Sequence, residues 1–228
     1  MSSFVTLVYI FKSDDPPMTD KQKESGWRGS RDVWLNAALA ALIDGGVDAV
    51  KIQPLASQMS LSRTSFYWFF KDRADLLAAL LNHWEALNTD NLLDAASAYA
   101  ATANEAVLNV IACFIDNMRF DQRLEFAIRG WALQSPDVMT RLRDNDQRRI
   151  DALQTMLQGH GYDRQDAYVR ISTLYHGQIG YISMQVEETL DTRMKRVPFY
   201  TRTYTGTAPS DDELARFYAQ FNYVPAAP

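Results

Sequence analysis

Cysteine and histidine are scarce in this chain. Its 228 residues include one cysteine, Cys113, and three histidines, at positions 83, 160 and 176. A lone cysteine excludes an internal disulfide, disfavours a thiolate zinc site and fits a reducing compartment, so we expect a cytoplasmic protein. The histidines form neither an H-E-x-x-H nor an H-x-x-x-H pattern, and we expect no bound metal.

Catalytic signatures are lacking as well. Cys113 lies in an apolar run, which favours a buried thiol over a nucleophile. The glycines at 159 and 161 follow no strand pattern, so they do not predict a phosphate-binding loop. We therefore predict that the chain is not an enzyme and needs no cofactor.

Long apolar runs are also missing. The run Phe4–Phe11 is too short to span a bilayer, no basic residue precedes it, and no small-residue cleavage site follows closely. We expect no membrane partner. Residues 1–26 are interpreted as a leader that is disordered, with Met18 as an alternative start.

Helix signals are what the sequence does contain, and strand alternation is almost absent after residue 26. Ser30 is a predicted N-cap for a first helix that ends at Gly45-Gly46. Pro54 fits the first turn of a second helix. Ser62 and Asp72 are predicted N-caps of a short third helix and of a fourth. The sequence therefore predicts an all-α protein.

The later helices have similar start signals, at Thr102, Asp121, Ser135, Asp163 and Ser210. The helix after Asp163 is expected to reach Glu187 or Glu188. Residues 191–210, which include Pro198, are predicted to form a loop.

Charge is acidic overall but differs along the chain. The formal net charge is −5, whereas residues 26–75 contain six Lys or Arg and five Asp. Arg63, Lys71 and Arg73 lie close together in that segment. A local basic patch, and not the net charge, is what contacts phosphate.

The second and third predicted helices are short and joined by a tight turn, which is a helix-turn-helix arrangement. In that motif the start of the second helix contacts base edges in the major groove. Arg63, Thr64 and Ser65 occupy that position, and Ser62 with the free N–H groups suits a phosphate. Tyr67 and Trp68 are expected to be exposed, and the phenylalanines at 66, 69 and 70 mostly buried.

Residues from about 30 to 82 resemble the DNA-binding domain of TetR-type transcriptional repressors. The resemblance includes the apolar spacing from Trp34 to Leu42, Leu55-Ala56, and the stretch SFYWFFKDRADLLAAL. The resemblance implies DNA contacts at Gln53, Arg63, Thr64, Ser65, Tyr67, Trp68, Lys71 and Arg73. Ser62 is added to these because its place at the helix start suits a phosphate. The chain differs from the family at Lys51-Ile52, where Thr is usual, at Ser60, where Gly is usual and a positive φ is expected, and at Phe69, which is often His.

The resemblance also implies a C-terminal helical domain, here 76–228, that dimerises and binds a small molecule, after a DNA-binding domain at 27–75. The expected partners are a double-stranded DNA operator, a homodimer mate and an unknown effector. Pocket candidates, for which ordinary core packing is the alternative, are Phe114, Met118, Phe126, Trp131, Tyr175, His176 and Met184. Dimer candidates are Gly177, Gly180, Tyr181, Phe217 and Phe221. A helical adaptor or small-molecule-binding protein without sequence-specific DNA binding is the remaining functional alternative.

Overall fold

The computed structural model describes residues 29–225, and every regular element in that range is helical. This confirms the predicted all-α class; the predicted leader, 1–26, lies outside the described residues. The helices are α1 (Arg31–Gly45), α2 (Ile52–Gln58), α3 (Arg63–Phe66), α4 (Arg73–Trp84), α5 (Asn91–Ser97), α6 (Ala103–Ile115), α7 (Gln122–Ala132), α8 (Pro136–Gly159), α9 (Arg164–Ser183), α10 (Leu190–Thr205) and α11 (Asp211–Ala219). None of these helices is long and apolar enough to cross a membrane.

Short polar side chains start most of these helices, as the sequence predicts. Ser30 Oγ accepts a hydrogen bond from the backbone N–H of Val33, and Asp72 Oδ1 accepts from that of Asp75. Ser210 forms a complete capping box with Glu213 at the start of α11. Each cap satisfies an N–H group that has no partner within the helix, which is why the chain turns helical at these positions.

One apolar core joins the N-terminal helices to α7 and α8. Trp34 of α1, Phe66 of α3 and Leu80 of α4 are fully buried in it, together with Ile128 of α7. The core therefore continues across residue 75/76, the boundary that the sequence suggests between the two domains. As a result, α1–α4 are packed directly onto the C-terminal helices.

The path from α4 to α5 contains a wide helical turn, a π-helix at Glu85–Asp90. Asn88 in this turn is fully buried and pairs with the backbone of Asp121 in both directions, at 3.0 and 2.9 Å. The π turn therefore lets a polar side chain point inward and bind the start of α7.

A second core lies among α5, α6, α8 and α9, and a third, smaller one among α6, α10 and α11. Leu153 of α8 and Ile171 of α9 are fully buried in the second core. Met194 of α10 and Phe217 of α11 are buried in the third. The last two helices are thus held on α6.

Two expectations about this region are wrong. Residues 191–210, predicted as a loop, contain most of α10. Its buried side chains, Met194, Val197, Thr201 and Thr205, have helical spacing, and each threonine hydroxyl donates to the carbonyl four residues earlier, at 2.9 Å. These hydroxyls can be buried because they are satisfied within the helix.

The second wrong expectation is the end of α9, which stops at Ser183 instead of reaching Glu187 or Glu188. Gln185 adopts a positive φ of 50°, and the backbone N–H of Val186 bonds back to the carbonyl of Tyr181. One residue in the left-handed conformation thus ends the helix and turns the chain toward α10.

Candidate functional site

The turn between α2 and α3 is tight and left-handed. Ser60 has φ of 55°, as predicted from its place where glycine is usual in the resembling family. The N–H of Leu61 bonds to the carbonyl of Ala56 at 2.9 Å, which closes the end of α2. This turn fixes the orientation of α3 relative to α2.

Aromatic packing anchors α3 from behind. The ring of Phe66 is fully buried, meets Trp34 edge-on at 5.2 Å and stacks on Phe70 at 5.5 Å. Phe69 is partly buried against the same core. Because these rings hold one side of the helix, its other side faces outward.

The outward side presents residues that suit DNA. Arg63 and Thr64 are exposed, Tyr67 is 50% exposed and Trp68 is 65% exposed. The guanidinium of Arg63 lies 3.5 Å from the hydroxyl of Tyr67, at the limit of a hydrogen bond. Gln53 is also exposed, at the start of α2.

Ser62 and Ser65 are bonded to each other. Ser62 Oγ accepts from the N–H of Ser65, and Ser65 Oγ donates to the carbonyl of Ser62 at 2.7 Å. The side chain of Ser65 is buried and does not reach the surface with Arg63 and Thr64. The structure therefore places Ser65 as a support for the start of α3.

The two predicted phosphate-binding cations differ in their surroundings. Arg73 donates from Nε to the carbonyl of Val50 and from Nη2 to that of Val47, both at 2.6 Å. Its guanidinium is thus occupied in tying α4 to the connection before α2. Lys71 is exposed and forms no ion pair with any residue of the described range. Lys51, which sequence analysis did not propose as a contact, is a further exposed cation beside Gln53.

Comparison with known proteins places this arrangement in a family. Residues 35–80 match the model of "Bacterial regulatory proteins, tetR family". The chain therefore carries a TetR-family N-terminal domain. None of the curated proteins compared with it matches.

Two solved structures share the whole fold. A putative TetR-family transcriptional regulator from Mesorhizobium loti is 15% identical, with a TM-score of 0.53 over 89% of this chain and 98% of that one. A transcriptional regulator from Rhodococcus sp. Rha1 is 16% identical, with a TM-score of 0.53 over 86% of this chain and 100% of that one. The TetR-type domain and this fold support a DNA-binding transcriptional regulator, a class that is generally not enzymatic.

A cavity of about 210 Å³ lies beyond the TetR-type domain, between α6, α9 and α10. Phe114 is the one pocket candidate from the sequence that lines it. Of the other six pocket candidates, Trp131 and Tyr175 are buried in the cores. The remaining four have exposed side chains: Met118, Phe126, His176 and Met184. Four of the cavity residues that the sequence did not indicate, Arg193, Val197, Tyr200 and Tyr204, are on α10, the segment predicted as a loop.

The residues predicted for the dimer interface lie in different environments. Phe217 is buried inside the subunit and packs against Phe221 at 5.4 Å. Gly177 and Tyr181 line the cavity. At Gly180 an added Cβ would meet nothing within 4 Å. No contact inside the described part of the subunit therefore requires a glycine at 180.

A buried ionic network connects α4 to α7, α8 and α9. Glu125 and Arg149 are fully buried and paired at 2.9 Å. Trp84 Nε1 donates to Glu125 at 2.7 Å, and the Tyr175 hydroxyl lies 3.0 Å from Arg149. Arg129 also binds Glu125, at 2.8 Å. The last turn of α4 is thus bonded to the same cluster as α9.

Two carboxylates of this region, Glu125 and Glu85, have lowered pKa values. Burial by itself would raise the pKa of Glu125, but the guanidiniums of Arg149 and Arg129 outweigh it and hold the pKa well below its usual range. Hydrogen bonding from Arg141, at 2.6 Å, lowers the pKa of Glu85. Both carboxylates are therefore charged at neutral pH and act as fixed anions next to α4.

Proposed function

We propose that the chain is a ligand-responsive transcriptional repressor, which binds a near-palindromic DNA operator as a homodimer and is released by a small-molecule effector. Residues 27–75 bind DNA, and residues 76–228 dimerise and bind the effector, in the cytoplasm. The observation that carries the proposal is the exposed start of α3. Arg63, Thr64 and Tyr67 face outward there because Phe66 and Phe70 are buried behind them.

Each exposed residue has a role that its chemistry suits. Arg63 is long enough to bind guanine O6 and N7 through two hydrogen bonds, and Thr64 contacts a neighbouring base. Lys71 and the N–H groups near Ser62 bind phosphate, with Tyr67, Trp68 and Gln53 along the backbone. Ser65 and Arg73 position the helix.

The dimer is proposed to form through α9 and α10. One face of α9 presents Val169, His176 and Gly180 at helical spacing, and Met184 follows directly after the helix. Gly180 is partly exposed and the other three are exposed. Phe199 of α10 is 67% exposed. Gly180 lies in the middle of this exposed face, and its lack of a side chain allows a partner helix to approach closely. Two recognition helices then enter successive major grooves, about 34 Å apart.

Helix α4 is the proposed lever between effector and DNA. Its first residue, Arg73, is bonded to the connection before α2, and its last, Trp84, is bonded to Glu125. A shift of α7 or α9 therefore moves α4 and the DNA-binding helices with it. The effector changes DNA affinity only by as much as its own affinity differs between the two arrangements.

The test begins with DNA fragments selected from a random pool, followed by anisotropy titrations of variants. Arg63→Ala is expected to weaken binding by about 1–3 kcal/mol and to relax preference at one base position. Lys71→Ala is expected to weaken all sequences similarly and to reduce the slope of log affinity against log salt by about 1.

The matched control is Arg143→Ala, since Arg143 is an exposed arginine on α8 that is not among the proposed DNA contacts. It should bind the selected DNA like the unaltered protein. If Arg63→Ala also binds like the unaltered protein, or if no sequence is enriched from the pool, the DNA-binding proposal is wrong.

A further inference from the structure

The C-terminal cavity is lined by both apolar and polar side chains. Its apolar side is formed by Ile111 and Phe114 of α6, Leu174 of α9 and Val197 of α10. Its volume of about 210 Å³ corresponds to about seven water molecules at about 30 Å³ each. A single ring with a short substituent fits such a space.

Other residues of the lining present hydrogen-bond donors that have no partner among the described residues. The side-chain amide nitrogen of Gln178 is buried and has no hydrogen-bond partner among the described residues. Tyr200 and Tyr204 stack with their ring planes 7° apart, and within the described range neither hydroxyl is hydrogen bonded. Burial raises the pKa of Tyr204, so its phenol is protonated near neutral pH and can donate. A ligand must therefore supply acceptors.

One positive charge at the cavity has no negative partner. The carboxylate of Glu188 is already engaged, since it accepts from the Tyr181 hydroxyl at 3.2 Å and forms an ion pair with Arg196. Arg193 lies over the Tyr181 ring, 5.0 Å from its centroid, and has no carboxylate partner in the described part of the chain. The uncompensated charge at the cavity is therefore positive, and a guanidinium pairs best with a planar oxyanion such as a carboxylate.

We propose that the cavity binds a small monocarboxylic acid with one aromatic or alicyclic ring. Its carboxylate pairs with Arg193 and accepts from Gln178, while its ring lies between Phe114 and Leu174. This inference rests on the proposed function, because it names the chemical class of the effector. A quaternary ammonium ligand, which the three tyrosines and Glu188 would also attract, is disfavoured because Arg196 already neutralises Glu188.

Calorimetric titration of the full chain with benzoate, phenylacetate and cyclohexanecarboxylate tests the proposal. At least one should bind with a Kd below about 1 mM, and its neutral amide should bind at least about ten-fold more weakly. Benzyltrimethylammonium should not bind. If none of the three acids binds, or if an amide or the ammonium compound binds as tightly as the acid, the proposal is overturned.

Variants of α10 locate the site. Arg193→Gln should weaken binding of the acid by about ten-fold or more, because one charge-assisted contact is lost, and should leave the weak binding of the amide unchanged. Arg193→Lys, which keeps the cation, should retain part of the affinity. The control Arg202→Gln alters an exposed arginine of the same helix that does not line the cavity, and should bind the acid normally. Equal affinities for the Arg193→Gln and Arg202→Gln variants would overturn the assignment.

DNA binding is measured separately, without any acid present. A chain that binds its selected DNA but none of the acids overturns this inference and leaves the DNA-binding proposal standing. A chain that binds an acid through Arg193 but binds no DNA overturns the DNA-binding proposal and leaves the assignment of the cavity standing.

Discussion

Replacing Glu125 by Gln tests how much the buried network stabilises the fold. The change removes the charge that compensates Arg149, which is 0% exposed and so cannot be solvated by water. Breaking a buried pair at one partner typically costs about 3–5 kcal/mol. Asp146 remains 3.7 Å from Arg149, so we expect the lower end, about 3 kcal/mol.

The assay is urea unfolding followed by circular dichroism, in which the midpoint should fall while the slope stays constant. Arg123→Gln is the matched control, because it breaks the Arg123–Asp44 pair, whose side chains are 63% and 72% exposed, and should cost less than about 1 kcal/mol. If Glu125→Gln costs no more than Arg123→Gln, the network does not stabilise the fold as argued.

Three further outcomes are expected. Ser60→Gly should raise the free energy of unfolding by up to about 1 kcal/mol, because glycine adopts the positive φ of 55° without strain; an unchanged urea midpoint would contradict this. Gly180→Ala should weaken self-association in sedimentation equilibrium, whereas Gly130→Ala, in an exposed position of α7, should stabilise its helix by about 1 kcal/mol without affecting association. Lastly, Glu85 and Glu125 have folded pKa values below their unfolded values, so their contribution to stability is present above about pH 4.5 and is lost as pH falls through the folded values. Urea midpoints that stay constant down to pH 3 would contradict that linkage.

The N-terminal helices could be predicted because their signals are local. The caps at Ser30, Ser62 and Asp72 act on N–H groups within three residues, so the sequence itself shows both partners. The positive φ of Ser60 is expected because the resembling family usually has glycine at this position. In contrast, the family resemblance and the local basic patch both favour a DNA contact for Arg73, while its partners in the structure, the carbonyls of Val47 and Val50, lie more than twenty residues earlier. No local pattern indicates such a contact.

The cavity could not be predicted because its third wall was interpreted as a loop. Residues 191–210 contain Pro198 and several threonines, which are poor helix formers. The helical period was nevertheless present, and treating Thr201 and Thr205 as buried residues would have revealed it. Arg193 and Gln178 line one cavity only because α10 packs near α9, and this packing depends on tertiary contacts.

The cavity and the buried network share α9, and this limits how the effector can act. Gln178 faces the cavity, and Tyr175, about one turn earlier, contacts Arg149 and donates to Asp146 at 2.6 Å. A hundred-fold loss of DNA affinity requires the effector to prefer the released arrangement by at least about 2.7 kcal/mol. One charge-assisted hydrogen bond contributes about 1.5–3 kcal/mol. A single contact to Arg193, made in only one arrangement of α9 and α10, would therefore supply at least about half of the preference that a hundred-fold switch by the proposed effector requires. Binding energy of the ring that is the same in both arrangements has no effect on the switch.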